Sequence, residues 1–182
     1  MDIFSVIIIL KTILVIAITG SLIFFGLAAC SIYTNLTSGV PWAKIPLRSL
    51  EQIFREINLP PASLIYDLGA GDGRVVFLAE RLGHRAIGYE LSLYPYLKAQ
   101  FKKYFSRSEA RFRRQDFFQQ DLSRADAVFI FLVGKVMDRV GRKLKSELKT
   151  STVVISYGFT IPGWRLEKMI MTKPSLTYVY KI

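Results

Sequence analysis

Residues 64–74 have the sequence Leu64-Ile65-Tyr66-Asp67-Leu68-Gly69-Ala70-Gly71-Asp72-Gly73-Arg74. The stretch begins as a short apolar strand, reaches an acidic residue at Asp67, and then carries glycines at the alternate positions Gly69, Gly71 and Gly73. Four apolar residues follow on one face of a predicted helix: Val75, Leu78, Ala79 and Leu82. Glycines at such a turn reach unusual backbone angles and let the backbone approach a ligand closely. The stretch therefore predicts the first strand–loop–helix unit of a nucleotide-binding fold.

The spacing of the glycines indicates which nucleotide the loop binds. A dinucleotide-binding loop has the order G-x-G-x-x-G or A, but the sixth position counted from Gly69 is Arg74. This departure disfavours NAD. The order D-x-G-x-G-D-G instead resembles motif I of the class I, or seven-strand, S-adenosylmethionine-dependent methyltransferases. The resemblance implies S-adenosylmethionine as cofactor, and the loop residues that it assigns to the cofactor site are Asp67, Gly69, Gly71, Asp72 and Gly73.

Two more acidic residues follow predicted strands. Residues 86–90 form a second strand that ends at Glu90, 23 residues beyond Asp67. A carboxylate at this place can accept hydrogen bonds from both ribose hydroxyls of a nucleoside. Asp116 follows a third predicted strand at residues 110–115, and the acid at this place in class I methyltransferases contacts the adenine amino group. We predict Glu90 and Asp116 as cofactor ligands, and capping of a loop is the alternative for Asp116.

The first forty residues contain only two charged side chains, those of Asp2 and Lys11. The 22 residues from Thr12 to Tyr33 are uncharged and rich in Ile, Leu, Val and Phe, and about 20 such residues suffice to cross the hydrocarbon core of a bilayer. We expect a single-pass transmembrane anchor over residues 1–37, with its helix at about 12–33. A cleaved secretory signal is the alternative, but the chain lacks the basic start of such a signal.

The formal net charge of +11 lies almost wholly after residue 40. A basic surface suits phosphate-bearing partners, either nucleic acid or an anionic lipid surface. Because Lys44, Arg48 and Arg55 closely follow the apolar stretch, the positive-inside bias places the catalytic domain on the cytosolic, or matrix, side. The chain has one cysteine and one histidine, which cannot form a Cys/His metal site, and we expect no metal.

Residues 98–114 contain seven Lys or Arg residues and one acid, Glu109. The first part of this run belongs to a helix that begins earlier, with Ser92 as its predicted N-cap. Its apolar residues recur at helical spacing, and we expect them to face the core: Leu97, Phe101, Tyr104 and Phe105. The cations are then a solvated helix face, which disfavours nucleic acid as a partner.

The remaining pattern predicts an α/β fold. Residues 38–61 form a linker and an amphipathic helix, with apolar residues at Leu50, Ile53, Phe54 and Ile57. Strands then alternate with helices across residues 62–182, and residues 127–133 are uniformly apolar, as in a central strand buried on both faces. Residues 166–171 and 176–180 form a terminal hairpin. We predict a Rossmann-like seven-strand methyltransferase sheet with a C-terminal antiparallel hairpin.

With these elements placed, residues 40–182 resemble one branch of that fold. The branch comprises compact protein-lysine methyltransferases, including the mitochondrial enzymes that act on the ATP synthase c subunit and the adenine nucleotide translocase, with archaeal and bacterial relatives. The segments that carry the resemblance are 67–76, 88–91, 121–123, 128–131, 143–148 and 159–164. The chain departs from the branch at Ser92-Leu93, where Asn-Pro is usual, and at Gly134-Lys135, where a proline is common. The resemblance implies a protein substrate with an accessible lysine at or near a membrane.

Methyl transfer to lysine needs a neutral amine, because a lysine amine is mostly protonated at neutral pH. An apolar aromatic pocket disfavours the charged form, and three aromatic residues just past the predicted fifth strand are candidates for it: Tyr157, Phe159 and Trp164. Packing in the core is the alternative role for these rings, and no general base is evident. Two other functions stay open: a methyltransferase for a lipid or small hydrophobic acceptor, and a non-catalytic module that binds S-adenosylmethionine.

Overall fold

The computed structural model describes residues 2–38 and 44–182 of the chain. The α-helices are α1 (Ile3–Ser38), α2 (Leu47–Ile57), α3 (Arg74–Arg81), α4 (Leu93–Ser106) and α5 (Met137–Glu147). The strands are β1 (Leu64–Leu68), β2 (Arg85–Tyr89), β3 (Arg111–Arg113), β4 (Ala127–Ile130), β5 (Val153–Tyr157), β6 (Lys168–Ile170) and β7 (Thr177–Lys181). Two short 3-10 helices cover Phe117–Gln119 and Gly134–Val136. The predicted linker lies mostly at residues 39–43, outside the described residues.

All seven strands join one mixed sheet in the order β3-β2-β1-β4-β5-β7-β6. Strands β1 to β5 pair in parallel, whereas β7 runs antiparallel to both β5 and β6. The predicted seven-strand sheet with its terminal hairpin is confirmed. Parallel strands place their carboxyl ends at one edge of the sheet, so the residues that follow β1, β2, β3 and β4 meet there.

Two hydrophobic clusters cover the two faces of the sheet. The first contains buried residues of α2, α3 and α4, including Leu50, Val76 and Ala99. The second contains α5, whose Met137, Val140 and Leu144 are buried. Strand β4 lies between the clusters with all four residues buried, as its uniformly apolar sequence predicts. The amphipathic helix α2 is also confirmed, because Leu50, Ile53 and Phe54 are buried.

Helix α1 is longer than the predicted span of 12–33. Its residues Ile3–Cys30 are long and apolar enough to cross a bilayer, and their most apolar stretch is not buried inside the protein. Length and composition are shared by secretory signals, so they show an apolar N-terminal helix and no more. Helix α1 contacts the sheet domain chiefly through α4.

Two expectations about helix faces are wrong. On α4, the rings of Phe101, Tyr104 and Phe105 are 68%, 79% and 72% exposed, and Leu97 is also exposed. The residues that α4 buries are the small Pro95 and Ala99. Helical spacing fixes which residues share a face, but when both faces carry apolar groups it does not fix which one meets the sheet. Ser92 does occupy the N-cap position, without a side-chain cap hydrogen bond.

Leu82 is likewise 48% exposed, because α3 ends at Arg81 and the chain turns away at Gly83.

Several strands also differ in length from their predicted spans. Strand β3 covers only Arg111–Arg113 and β4 stops at Ile130, while β5 continues to Tyr157. Tyr157 is therefore the last residue of β5 rather than the first residue beyond it.

A tight contact at Gly88 in β2 joins the sheet to the glycine loop. A Cβ added to Gly88 would lie 2.6 Å from Ala70 Cβ and 2.9 Å from Val76 Cγ2. Ala70 belongs to the glycine loop and Val76 to α3. The absence of a side chain at Gly88 thus lets both elements lie directly on β2.

We expect Gly88→Ala to lower the free energy of unfolding by about 1–3 kcal/mol, because the added methyl overpacks this contact. Gly134→Ala is the matched control, since no heavy atom lies within 4 Å of a Cβ placed there, and its effect should stay within about 0.5 kcal/mol. Urea unfolding of the full chain in detergent, followed by near-UV circular dichroism, measures both. Equal midpoints for the two variants would contradict the packing role of Gly88.

Candidate active site

The glycine loop between β1 and α3 folds back onto the end of β2. The N–H groups of Gly69 and Ala70 both donate to the carbonyl of Tyr89, at 2.9 and 2.8 Å. Gly69, Gly71 and Gly73 have φ angles of +93°, +56° and +83°, in the left-handed region. The third of these glycines is also sterically required, because a Cβ at Gly73 would lie 2.5 Å from the ring of Phe112. The loop is thereby held at the carboxyl edge of the sheet.

Glu90 ties this loop to the start of α4. Its Oε2 accepts a hydrogen bond from the N–H of Gly71 at 2.8 Å, and its Oε1 accepts one from the N–H of Ser92 at 2.7 Å. A carboxylate offers about four acceptor positions, so these bonds leave capacity for further donors. The predicted ligand Glu90 and the predicted loop residue Gly71 are therefore in direct contact.

Three carboxyl groups, those of Asp67, Asp72 and Glu90, gather at the loop, although the chain as a whole carries a net charge of +11. Asp67 is buried, and burial raises its pKa to about 8, with the charges of Glu90 and Asp72 adding to the effect. Burial also raises the pKa of Glu90, and the N–H groups of Ser92 and Gly71 partly oppose that rise. Carboxyl groups gathered in this way favour a cationic ligand, because a positive charge stabilises their ionised forms against mutual repulsion.

Asp72 faces an arginine of the following helix. Its Oδ1 lies 3.3 Å from Arg74 Nε, and Arg74 Nη1 donates to the carbonyl of Ile45 at 3.1 Å. This pair connects the glycine loop to the segment that precedes α2. Within the described residues, no group of three His, Cys, Asp or Glu side chains is placed to hold a metal ion.

Asp116 lies beyond β3 at the same edge of the sheet. Strands β2 and β3 stay paired up to this edge. The N–H of Glu90, just after β2, donates to the carbonyl of Arg113 at the end of β3, at 3.0 Å. Asp116 caps the 3-10 helix that follows, and its Oδ1 accepts from the N–H of Phe118 at 2.9 Å. The capping alternative is thus present in the structure, and it leaves the second carboxylate oxygen for other donors.

The three predicted pocket rings do not lie together. Tyr157 is buried in the cluster of α2, α3 and α4, and its ring meets that of Phe131 edge-on at 5.0 Å. Phe159 and Trp164 pack against the cluster of α5, where Trp164 meets Tyr180 edge-on at 5.7 Å. The sheet separates the two groups of rings.

Tyr157 has an unusual polar atom. Its hydroxyl is buried, and among the described residues it has no hydrogen-bond partner. An unpaired buried hydroxyl is costly, and in a native structure it calls for an explanation such as a bound group. Tyr157 therefore remains a candidate for contact with a ligand.

Phe131 shares a face of the sheet with Asp67 and Tyr157, which the sequence did not reveal. Asp67 pairs with Phe129 across β1 and β4, and Phe129 pairs with Ile155 across β4 and β5. Because side chains alternate along a strand, residues two positions further on share the same face. Phe131 and Tyr157 therefore lie on the face of Asp67. The run at 127–133 is uniformly apolar, so its sequence does not indicate which residues share a face of the sheet. Only the pairing register of the strands shows that Phe131 lies on the face of Asp67.

Comparison with known proteins agrees with this geometry. A family model described as the ANTKMT methyltransferase domain matches residues 67–168. A protein-lysine N-methyltransferase of Saccharolobus islandicus (strain REY15A) is 30% identical over 135 residues, which are 72% of this chain and 84% of that protein. A lysine N-methyltransferase of Xenopus laevis, named for the c subunit of ATP synthase, is 33% identical over 103 residues, but these are 56% of this chain and 46% of that protein.

Among solved structures, the chain is similar to an RNA methyltransferase from Salinibacter ruber in complex with S-adenosyl-L-homocysteine. The TM-score is 0.72 at 26% identity, and the similarity covers 77% of this chain and 94% of that chain. The ligand of that structure is the demethylated form of S-adenosylmethionine, which matches the cofactor predicted from the glycine loop. The chain therefore belongs to the family of the ANTKMT methyltransferase domain and is an S-adenosylmethionine-dependent methyltransferase.

Proposed function

We propose that this enzyme is a membrane-anchored protein-lysine N-methyltransferase whose substrate is a membrane or membrane-proximal protein. The observation that carries the proposal is the pair of carboxyl groups at the glycine loop, buried Asp67 and half-buried Glu90, in a chain matched by a lysine methyltransferase family. The named activities of the archaeal and frog relatives support lysine as the acceptor.

The site has the groups needed to hold S-adenosylmethionine. Glu90 would accept hydrogen bonds from the ribose hydroxyls with the acceptor capacity that Gly71 and Ser92 leave, and the backbone of residues 69–73 would approach the methionine part. Asp67 would release its proton when the cofactor binds and so offset the cofactor's positive charge, and Asp116 would accept from the adenine amino group. When bound, the cofactor supplies an electrophilic methyl group on a sulfonium that leaves readily, so the protein has mainly to align and desolvate the amine.

On the acceptor side, Tyr157 would accept a hydrogen bond from the lysine amine through its unpaired hydroxyl, while Phe131 would pack against the alkyl chain. An apolar surrounding lowers the pKa of a lysine amine, which yields the neutral nucleophile. Phe159 and Trp164 would support this pocket from the other face of the sheet. Ser156 Oγ donates to the carbonyl of Phe159 at 2.6 Å, and this bond fixes the segment that leaves β5.

The N-terminal helix supports the membrane part of the proposal. Residues Ile3–Cys30 can span a bilayer by length and composition, and the cations that follow, Lys44, Arg48 and Arg55, favour the cytosolic or matrix side for the domain. A tether of this kind would restrict the enzyme to lysines near the membrane surface.

Incubation of membranes containing the full chain with cofactor labelled in its methyl group tests the acceptor class. We expect the label in protein bands that survive organic extraction, and methyl-lysine on amino-acid analysis of those bands. Label in the organic extract would indicate a lipid acceptor, and label removed by ribonuclease would indicate RNA. Either result, or the absence of any label, would contradict the lysine assignment.

Asp67→Asn should weaken cofactor binding and remove a pH-dependent loss of stability. The folded protein holds a proton on Asp67 up to about pH 8, whereas an unfolded Asp has a pKa of about 3.9. The wild type therefore loses free energy of unfolding as pH rises from about 4 to 8, by at most about 1.4 kcal/mol per pH unit, and the variant lacks this slope. Its affinity for S-adenosylmethionine should fall at least about tenfold, or about 1.4 kcal/mol.

Urea unfolding at several pH values and titration calorimetry measure these two effects. Asp138→Asn is the matched control, because Asp138 is an exposed carboxylate in the first turn of α5, and it should change neither quantity. If the free energy of unfolding changes with pH equally for wild type and Asp67→Asn, Asp67 does not hold a proton in the folded protein. If the affinity for S-adenosylmethionine is unchanged in the variant, Asp67 is not part of the cofactor site.

Tyr157→Phe tests the acceptor pocket. Since the hydroxyl has no partner among the described residues, its removal should leave stability unchanged or slightly higher. Turnover of lysine substrate should fall about 10–100-fold, with cofactor affinity unchanged. Tyr180→Phe is the control, because Tyr180 Oη accepts from the N–H of Ile161 at 3.0 Å, and its loss should cost about 1 kcal/mol of stability. Equal turnover for both variants would exclude Tyr157 from the pocket.

A further inference from the structure

We propose that the outward face of α4 is a membrane-docking surface that seats the catalytic domain on an anionic phospholipid bilayer. This inference rests on the proposed membrane-anchored function and names the surface that orients the domain. We call the surface the aromatic face of α4, and its residues are Tyr94, Leu97, Phe101, Tyr104 and Phe105.

The aromatic face is a single continuous stripe. Its residues follow one another at intervals of three, four, three and one along α4, so they share one side of the helix over about 16 Å. Their rings contact each other: Phe105 meets Phe101 at 5.4 Å and Tyr104 at 5.4 Å between ring centroids. Large apolar groups gathered on one exposed surface are typical of an interaction site, whereas scattered ones are not.

The polarity of α4 is the reverse of that of an ordinary surface helix. The helix packs on the sheet through the small Pro95 and Ala99 and the half-buried Tyr96, and it turns its other rings outward. The stability of the sheet domain does not require rings at these positions, because they contribute little to its core.

Cations border the aromatic face. The helical positions of Lys98 and Lys102 lie along one side of it, and Arg107 follows at the end of the helix. Lys102 Nζ lies 4.5 Å from the centroid of the Phe77 ring, in a cation–π contact. Helix α4 contains no Asp or Glu. Aromatic residues flanked by Lys and Arg are the pattern of a helix that lies in the interface of an anionic bilayer.

The position of α1 indicates that the aromatic face of α4 contacts a bilayer rather than another protein. Helix α1, the candidate membrane span, contacts the domain chiefly through α4. Towards the C-terminal end of α1, Leu27 and Ala28 are half-buried between exposed neighbours, as expected for residues near such a contact. The aromatic face therefore lies on the helix that is placed beside the anchor, where the nearest large apolar and anionic surface is the membrane itself.

Docking through α4 would also set the position of the active site. Helix α4 begins directly after Glu90, and Glu90 holds the N–H of Ser92 at 2.7 Å. The carboxyl edge of the sheet would then face lysines at the level of the lipid headgroups. The substrate class this implies is a lysine in the first turns outside the bilayer of an integral membrane protein.

The test uses the full chain in nanodiscs with single-cysteine labelling, because Cys30 is the only cysteine in the sequence. In a Cys30→Ser background, an environment-sensitive fluorophore is attached through Tyr104→Cys or, as a control, through Met169→Cys on β6 at the opposite end of the sheet. With phosphatidylglycerol in the bilayer, lipids spin-labelled at the headgroup should quench the probe at 104 at least about threefold more than the probe at 169. Equal quenching at the two positions would overturn the proposal.

A second variant separates docking from catalysis. Phe101→Gln/Tyr104→Gln/Phe105→Gln, with the probe attached through Leu97→Cys, should lose most of the quenching and lower methylation of membrane-embedded protein about tenfold. Its affinity for S-adenosylmethionine should equal that of the wild type. The matched control Leu166→Gln/Met169→Gln/Met171→Gln also replaces three exposed apolar residues, and it should change neither quenching nor methylation.

The same fluorophore at position 104 is also measured in detergent without lipid. If it becomes shielded from water as the protein concentration rises, the aromatic face contacts a second copy of this chain, and the bilayer assignment is overturned. Retained cofactor binding and lysine methylation without quenching would refute the docking surface and leave the proposed function intact. Quenching without any methyl transfer to lysine would contradict the proposed function, whereas the docking surface would stand.

Discussion

The hydrogen bonds that close the glycine loop onto β2 are the constraint on which the site depends. Tyr89 accepts from Gly69 and Ala70, and Glu90 accepts from Gly71 and Ser92. One strand end thereby fixes where β1 turns, where α3 begins and where α4 begins. Gly88 permits this closure, because any side chain there would collide with Ala70 and Val76. A change in this small region would therefore alter the cofactor loop and two helices together.

The same closure creates an electrostatic conflict. It buries Asp67 near Glu90 and Asp72, and the cost appears in the raised pKa of Asp67. Such a cost is tolerated in native proteins where a ligand relieves it. The sulfonium of S-adenosylmethionine carries a positive charge that is lost when its methyl group leaves. A site in which the bound cation draws the proton off Asp67 should therefore hold the substrate form of the cofactor more tightly than the demethylated product, which favours exchange after each turnover.

Much of the fold was predictable because its signals are local. The glycine spacing, the apolar β4 and the amphipathic α2 each follow from short-range rules, and the structure confirms them. The orientation of α4 was not predictable, since Ala99 and Phe101 both suit a core and only the space above the sheet selects the smaller residue. The sequence also did not predict that Tyr157 and Trp164 lie apart. Tyr157 is the last residue of β5, whereas Trp164 lies beyond a turn that leads to the opposite face of the sheet.

These features bear on how a compact methyltransferase selects its substrate. The proposed pocket of Phe131 and Tyr157 would offer apolar contact and one hydroxyl, and these groups would suit any lysine amine. Selectivity would then come from where the domain is held, because tethering and orientation raise the effective concentration of nearby acceptors without new contacts. In the proposed arrangement α1 sets the distance to the bilayer and α4 sets the orientation, and Glu90 connects that orientation to the cofactor loop. The outward rings of α4 are then part of the specificity of the enzyme, although none of them would touch the lysine.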